Sequence, residues 1–326
     1  MRYIALEEAF FIPELAHLQP TSEPQRMMRR FKPEYTERFE RQLPDFTEYR
    51  LPEMDNAGID IQVLSLTVPG LQVDIDAEQA RHNACFANDY LAKVIGEHPE
   101  RFRGFAALPL QDPAAAAAEL ERAVTQHGLC GALVNDCVTG PGGRYLDAPE
   151  YDELWSAAES LGVPLYLHPG APPADHWRVL DGRPELYGAT WSWAAEVGGH
   201  ALRILFSGVF DRHPGATMIL GHMGEFLPFQ RSRLDSRYAA SAATTPLKRV
   251  PSAYLGTNIV FTNSGVFSPA VMLGAVLEVG ADAVMFSVDY PYESCYDAVQ
   301  GFERTTLSAG DREKIAHGNA ERVLRI

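Results

Sequence analysis

Short β-branched or apolar runs recur along the chain, each followed by a longer stretch of helical pattern, so the periodicity switches repeatedly between strand and helix. Eight runs read as strands: Tyr3–Glu7, Ile61–Thr67, Gly104–Pro109, Gly131–Asn135, Pro164–His168, Thr217–His222, Asn258–Asn263 and Val284–Asp289. Between them Pro113–His127, Pro149–Leu161 and Pro269–Val279 read as helices, spaced to supply right-handed crossovers between parallel strands. Eight such units close a (β/α)8 TIM barrel. An open doubly wound sheet has fewer strands and a Gly-rich phosphate turn after the first, and no such turn follows Glu7.

Two stretches break the repeat: about 13–49, charged and proline-bearing, and 170–188, rich in Pro, Gly and Trp. Both follow strands, so they read as insertions on βα loops at the catalytic face, lids or subunit contacts within one domain spanning 1–326. The chain's 326 residues suit a single barrel of this kind.

Composition narrows the chemistry. Hydrophobic residues make up 46% and charged residues 22%, enough apolar material for a sizeable core. A formal charge of −15 repels phosphate backbones and anionic membranes, which argues against nucleic-acid or membrane partners; an anionic substrate would need a local positive feature such as a metal or an arginine. Cys85, Cys130, Cys137 and Cys295 form no CxxC pair and read as reduced thiols of a cytoplasmic enzyme. The opening MRYIALEEAF is interrupted by Glu7 and Glu8 and does not read as a signal peptide, and no run of eighteen apolar residues reads as a membrane span.

The candidate chemistry lies where strands end. Glu7, His168, His222 and Asp289 each fall at or just past the C-terminal end of an apolar run, where such a barrel builds its active site. Carboxylate and imidazole together suit a divalent ion with positions left for water and substrate. Each has a plainer reading. One of Glu7 and Glu8 can be merely solvated, with alternation favouring Glu7 for the site; His168 before Pro169 can be structural; Asp289 can cap a turn; Glu225 can start a helix.

ALEEAF at the start, LPLQDP at 108–113, GALVND at 131–136, YLHP at 166–169, SGVFDRHP at 207–214, LGHMGE at 220–225 and FSVDYPYE at 286–293 resemble the amidohydrolase-related, metal-dependent decarboxylases of aromatic acids. That group includes the 2,3-dihydroxybenzoate, γ-resorcylate, 5-carboxyvanillate and salicylate decarboxylases. The resemblance covers essentially the whole chain. It implies an amidohydrolase-type barrel, metal ligation by Glu7, His168 and Asp289, a dyad of His222 and Glu225 beside the metal, and Arg233 near the site. It also implies dimers or tetramers. The chain departs from the pattern in four places: Ala9 where many relatives carry a further histidine ligand, Gly170-Ala171-Pro172 for Arg-Asn-Pro, Tyr292 for phenylalanine, and Asn263 for threonine.

The expected reaction is non-oxidative decarboxylation of an ortho-hydroxybenzoate-type acid on one divalent ion, Zn2+, Mn2+ or Mg2+, without an organic cofactor. Asp289 protonates the ring carbon, with its proton set up by His222 and Glu225, and Trp191, Trp193, Phe267, Tyr292, Asn263 and Arg233 are expected to hold the small aromatic acid. The alternatives are a lactone or amide hydrolase on the same barrel and a silent scaffold.

Overall fold

The computed structural model describes residues 1–18, 31–138, 144–170 and 178–326. Eight parallel strands follow one another: β1 Ile4–Phe10, β2 Ile61–Leu66, β3 Phe102–Gly104, β4 Ala132–Asn135, β5 Leu165–His168, β6 Met218–Leu220, β7 Ile259–Thr262 and β8 Val284–Met285. The ladders run β1-β2-β3 and β4 through β8, and two single bridges, Ala106 with Ala132 and Leu6 with Ser287, join these halves into a closed barrel. Closure leaves no open sheet edge.

Helices cover the barrel: α1 Pro33–Gln42, α2 Arg50–Ala57, α3 Ala77–Glu97, α4 Pro113–His127, α5 Asp152–Leu161, α6 Ser192–Phe206, α7 Arg231–Ala240, α8 Pro269–Val279, α9 Cys295–Glu303 and α10 Asn319–Leu324. Local chemistry sets their limits. Asp112 caps α4 by accepting from Ala115 N, Pro113 occupies its first turn, and Gly128 ends it in the left-handed region at φ 68°. One hydrophobic cluster extends from Tyr3 to Leu324, with the strands' inward side chains at its centre. Among the described residues no helix is long and apolar enough to cross a membrane.

Three strands differ from their expected limits. β3 is Phe102–Gly104, not Gly104–Pro109, because Asn88 of α3 takes the place of a neighbouring strand, donating to Ala107 O and accepting from Ala107 N at 3.0 and 2.8 Å. β8 stops at Met285, and Asn263 Oδ1 accepts from Ser287 N beyond its end. β1 continues past Glu7 to Phe10 through a bulge between Ala5 and Glu8. The insertion at 13–49 contributes a short 3-10 turn, Pro13–Leu18, and α1; the one at 170–188 contributes turns at Arg178–Leu180 and Pro184–Leu186. Ala171 and Pro172, singled out as departures, lie outside the described residues.

Candidate active site

The strand ends bring Glu7, His168, His222 and Asp289 together, and unusual backbone makes this possible. Glu7, His222, Glu225 and Asp289 have φ of 64°, 48°, 50° and 82°, a region that side chains with a Cβ seldom occupy. At Glu7 this is the bulge in β1, so strict alternation fails there: Glu7 is the site carboxylate, but through a kink. Glu8, its neighbour, is not solvated. It is buried, and its carboxylate accepts from Val288 N, Tyr290 N and Gln62 Nε2, tying β1 to the loop after β8. Burial pushes its carboxyl up to about 8 against the opposing pull of those backbone N–H groups and the buried Arg50.

His168 Nδ1 donates to Pro169 O and Asn135 Oδ1, both at 2.8 Å, and His222 Nδ1 donates to Glu225 Oε1 at 2.7 Å. With hydrogens fixed on the Nδ1 atoms, both Nε2 atoms turn toward Glu7 Oε1, at 3.2 and 3.0 Å. Such outer contacts are the ones that orient metal-ligating histidines. Glu7 Oε2 accepts from the Tyr166 hydroxyl, which also pairs with Thr262 Oγ1 at 2.7 Å. Among the described residues Glu7 Oε1 is buried without a hydrogen-bond partner of acceptable geometry. Glu7, His168 and His222 offer ligand atoms all within 4.8 Å of one another. This donor set, with one uncommitted carboxylate oxygen and two oriented imidazoles, fits a divalent cation.

Asp289 stands just outside that compact group, with Oδ2 3.9 Å from His222 Nε2, and lines one cavity with Glu7 and His168. Burial and the Glu7 charge push its carboxyl up to about 7, partly opposed by His222 and His168. Burial raises the Glu7 carboxyl too, but the His222 and His168 imidazoles outweigh it and hold Glu7 below the usual range. At His222 burial disfavours the cation, yet the charges of Glu7 and Glu225 raise its pKa well above the ordinary value. Two glycines make the room. A Cβ at Gly221 would meet Glu7 Oε2 at 2.3 Å, and one at Gly265 would face Asp289 Oδ2 at 3.5 Å and His222 Cδ2 at 3.7 Å.

The expected substrate-binding residues divide. Tyr292 and Ala9 line the cavity. Arg233 is not brought to it: it is exposed on α7 and lines a separate open cavity with Phe206 and Tyr238. Asn263 is buried and its carbonyl oxygen is used by Ser287 N, a strap between β7 and the segment after β8. Phe267 packs against Gly301 of α9. Trp191 is exposed beside Phe226, and Trp193 is half-buried in the first turn of α6 with its Nε1 unpartnered among the described residues. Gly170 has a steric reason, since a Cβ there would lie 2.7 Å from Asn135 O.

Sequence reasoning missed Tyr166, Asn135 and Thr67. Tyr166 sits two residues before His168 on β5, hence on the same face, and that signal was available. Asn135 faces His168 only through the β4–β5 register.

The Amidohydrolase family matches residues 16–326. The chain is 42% identical over 329 residues to the gamma-resorcylate decarboxylase of Rhizobium radiobacter, covering 99% of this chain and 98% of that protein. Its fold is similar to a 2,6-dihydroxybenzoate decarboxylase complexed with 2,6-dihydroxybenzoate, with TM-score 0.92, 40% identity and full coverage of both chains (100% each). It is equally similar to the dihydroxybenzoic acid decarboxylase of Polaromonas sp. JS666 with bound manganese and the inhibitor 2-nitroresorcinol, with TM-score 0.92, 39% identity and coverage of 99% of this chain and 96% of that one.

Proposed function

The chain belongs to the amidohydrolase family, and from that premise we propose that it is a metal-dependent, non-oxidative decarboxylase of an ortho-hydroxybenzoate-type aromatic acid. It is a carbon–carbon lyase. The observation that carries this reading is the meeting, in one cavity, of an uncommitted Glu7 oxygen faced by two imidazole Nε2 atoms with an aspartate whose carboxyl is pushed up to about 7.

Glu7, His168 and Asp289 are the residues that would hold the divalent ion, with His222 already within reach of Glu7. When bound, the ion supplies positive charge that holds and neutralises the carboxylate and ortho oxygens of the acid. Asp289 carries the proton on a carboxyl oxygen and delivers it to the ring carbon bearing the carboxylate. The bond to that carboxylate then breaks, its electron pair returns to the ring, and carbon dioxide leaves. Asp289 is left ionised and regains a proton by way of His222, whose Glu225 partner favours the imidazolium. Manganese, zinc and magnesium all suit this donor set, and manganese is the ion carried by the Polaromonas protein.

The whole of 1–326 acts as one barrel domain, a reading supported by the large cluster that runs from Tyr3 to Leu324. The exposed aromatic rings Trp191, Phe226 and Phe229 support a homodimer or homotetramer. The test is a panel of ortho-hydroxybenzoic acids followed for carboxylate loss by ultraviolet absorbance, with metal measured on the same sample. Carbon dioxide release is the expected result; water uptake with acid production from a lactone or amide, and no carbon dioxide from any acid, would overturn it.

A further inference from the structure

We infer that Glu8 is a positioning residue: its carboxylate clamps the backbone N–H groups of the two residues that flank Asp289 and so aims that aspartate at the ring carbon. This rests on the decarboxylase reading and adds to it a residue that does not line the cavity. Glu8 is fully buried. Its Oε1 accepts from Val288 N at 3.0 Å, and its Oε2 accepts from Tyr290 N at 3.2 Å and from Gln62 Nε2 at 3.3 Å. One side chain of β1 therefore holds Asp289 from both sides, across the seam where the barrel closes.

Asp289 needs such a holder. Its φ of 82° lies where side chains with a Cβ seldom go, and backbone of that kind persists only when its surroundings over-determine it. Among the described residues no hydrogen bond fixes its carboxyl, and His222 Nε2 stands 3.9 Å from Oδ2. The direction of the side chain is thus set by the backbone that carries it. The rest of the segment is tied elsewhere: Ser287 N donates to Asn263 Oδ1 at 2.9 Å, Gly265 N to Val288 O at 3.2 Å and Ala9 N to Tyr290 O at 2.7 Å. Without Glu8, the N–H groups of the buried Val288 and Tyr290 would have nothing to meet. The clamp is itself braced. Arg50 Nη1 donates to Gln62 Oε1 at 3.0 Å, which turns Gln62 Nε2 toward Glu8, and Arg50 Nη2 donates to Ala9 O at 2.6 Å. The guanidinium also lies 4.4 Å from the centre of the Tyr290 ring. A buried acid that only stabilised the seam could sit anywhere along it; this one commits both oxygens to the residues that bracket the proton donor.

Glu8→Gln tests this with almost no change in volume. The new NH2 must take the place of one oxygen and face a donor, so either Val288 N or Tyr290 N loses its acceptor. In the metal-loaded enzyme, kcat per folded molecule for 2,6-dihydroxybenzoate should fall by about a hundredfold, with KM within about threefold of the wild type. In an Asp289→Asn background the same substitution should cost less than about twofold, because Glu8 acts through Asp289. Glu8→Asp keeps both oxygens but withdraws them by one carbon, and should lower kcat by about tenfold, which decides the matter if the Gln variant does not fold. Losses that multiply in the double variant, or full turnover per folded molecule in either Glu8 variant, overturn the proposal. A second arm follows hydrogen–deuterium exchange by mass spectrometry and requires no turnover. Exchange at 286–293 should quicken by about tenfold or more in Glu8→Gln, while α4 keeps its wild-type rate. Faster exchange there, with no carbon dioxide from any acid in the wild type, upholds the clamp and sinks the decarboxylase reading. Decarboxylation with unaltered exchange at 286–293 leaves that reading standing and removes the clamp.

Discussion

Two clusters of ionisable side chains in this barrel make a contrast, one built on the buried Glu119 between α3 and α4 and one at the mouth. Between the helices, Glu119 Oε1 accepts from Asn88 Nδ2 and Arg122 Nη2 at 2.6 and 2.8 Å, and Oε2 accepts from Arg122 Nε at 2.9 Å and Cys85 Sγ at 3.3 Å. Arg122 reaches on to Asp89 at 2.7 Å, and the residues of this cluster sit on regular helical backbone. At the mouth the backbone is left-handed, one oxygen of Glu7 has no hydrogen bond of acceptable geometry among the described residues, and two imidazoles point at that same atom. A cluster that only stabilises satisfies its own members. One that leaves a buried carboxylate oxygen uncommitted, and bends the chain to do so, is arranged around a guest.

This contrast can be broken by substitution. The largest effect is expected from Asp289→Asn, which should keep the metal while turnover falls by about a thousandfold. Carbon dioxide release and metal content on the same sample decide it, and an active Asn variant removes Asp289 as the proton donor. Next, His168→Ala should weaken metal binding by about a hundredfold, whereas His127→Ala in the helical cluster, where His127 Nε2 lies 2.8 Å from Asp89 Oδ1, should leave it unchanged. Full occupancy in the His168 variant would refute its role as a ligand. Glu119→Ala should behave in the opposite way, costing about 2 kcal/mol in urea unfolding because it strands the partly shielded Arg122 charge, with metal content and turnover unaffected. Altered metal content there would erase the distinction between the clusters.

The smallest effect sharpens the comparison through pH. In the metal-free protein Glu7 and Glu225 favour a proton on His222 despite its burial, and a cation held by Glu7 would repel that neighbouring positive charge. Apparent metal affinity should therefore rise with pH below the His222 pKa by at most about tenfold per unit and level off above it. A flat titration of affinity against pH would show that His222 carries no such proton.

The barrel was readable because its parallel strands are buried on both faces and appear as apolar runs, and because a carboxylate or histidine closing such a run is conspicuous. Glu7, His168, His222 and Asp289 were all read that way, and the structure brings them to one end of the barrel. The rule that favoured Glu7 over Glu8 picked the acid that faces the two imidazoles although β1 bulges at that point, since alternation knows nothing of a positive φ. Asn135 and Thr67 escaped because their roles come from the register between strands and from a loop folding back over them, neither of which leaves a mark in local sequence. Arg233 and Asn263 were misplaced for the converse reason. Their positions relative to a motif were clear, but the direction of α7 and the strap to Ser287 were not.

The seam between the first and eighth strands has a consequence for biogenesis. Leu6 is bridged to Ser287, whose hydroxyl donates to Leu6 O, and Ala9 N donates to Tyr290 O at 2.7 Å. Glu7 and Asp289 are thus brought face to face only by residues separated by nearly the entire polypeptide. A nascent chain that has yet to make the segment after β8 can present the two histidines, but the first strand has nothing to close against, so competence for the ion waits on that segment.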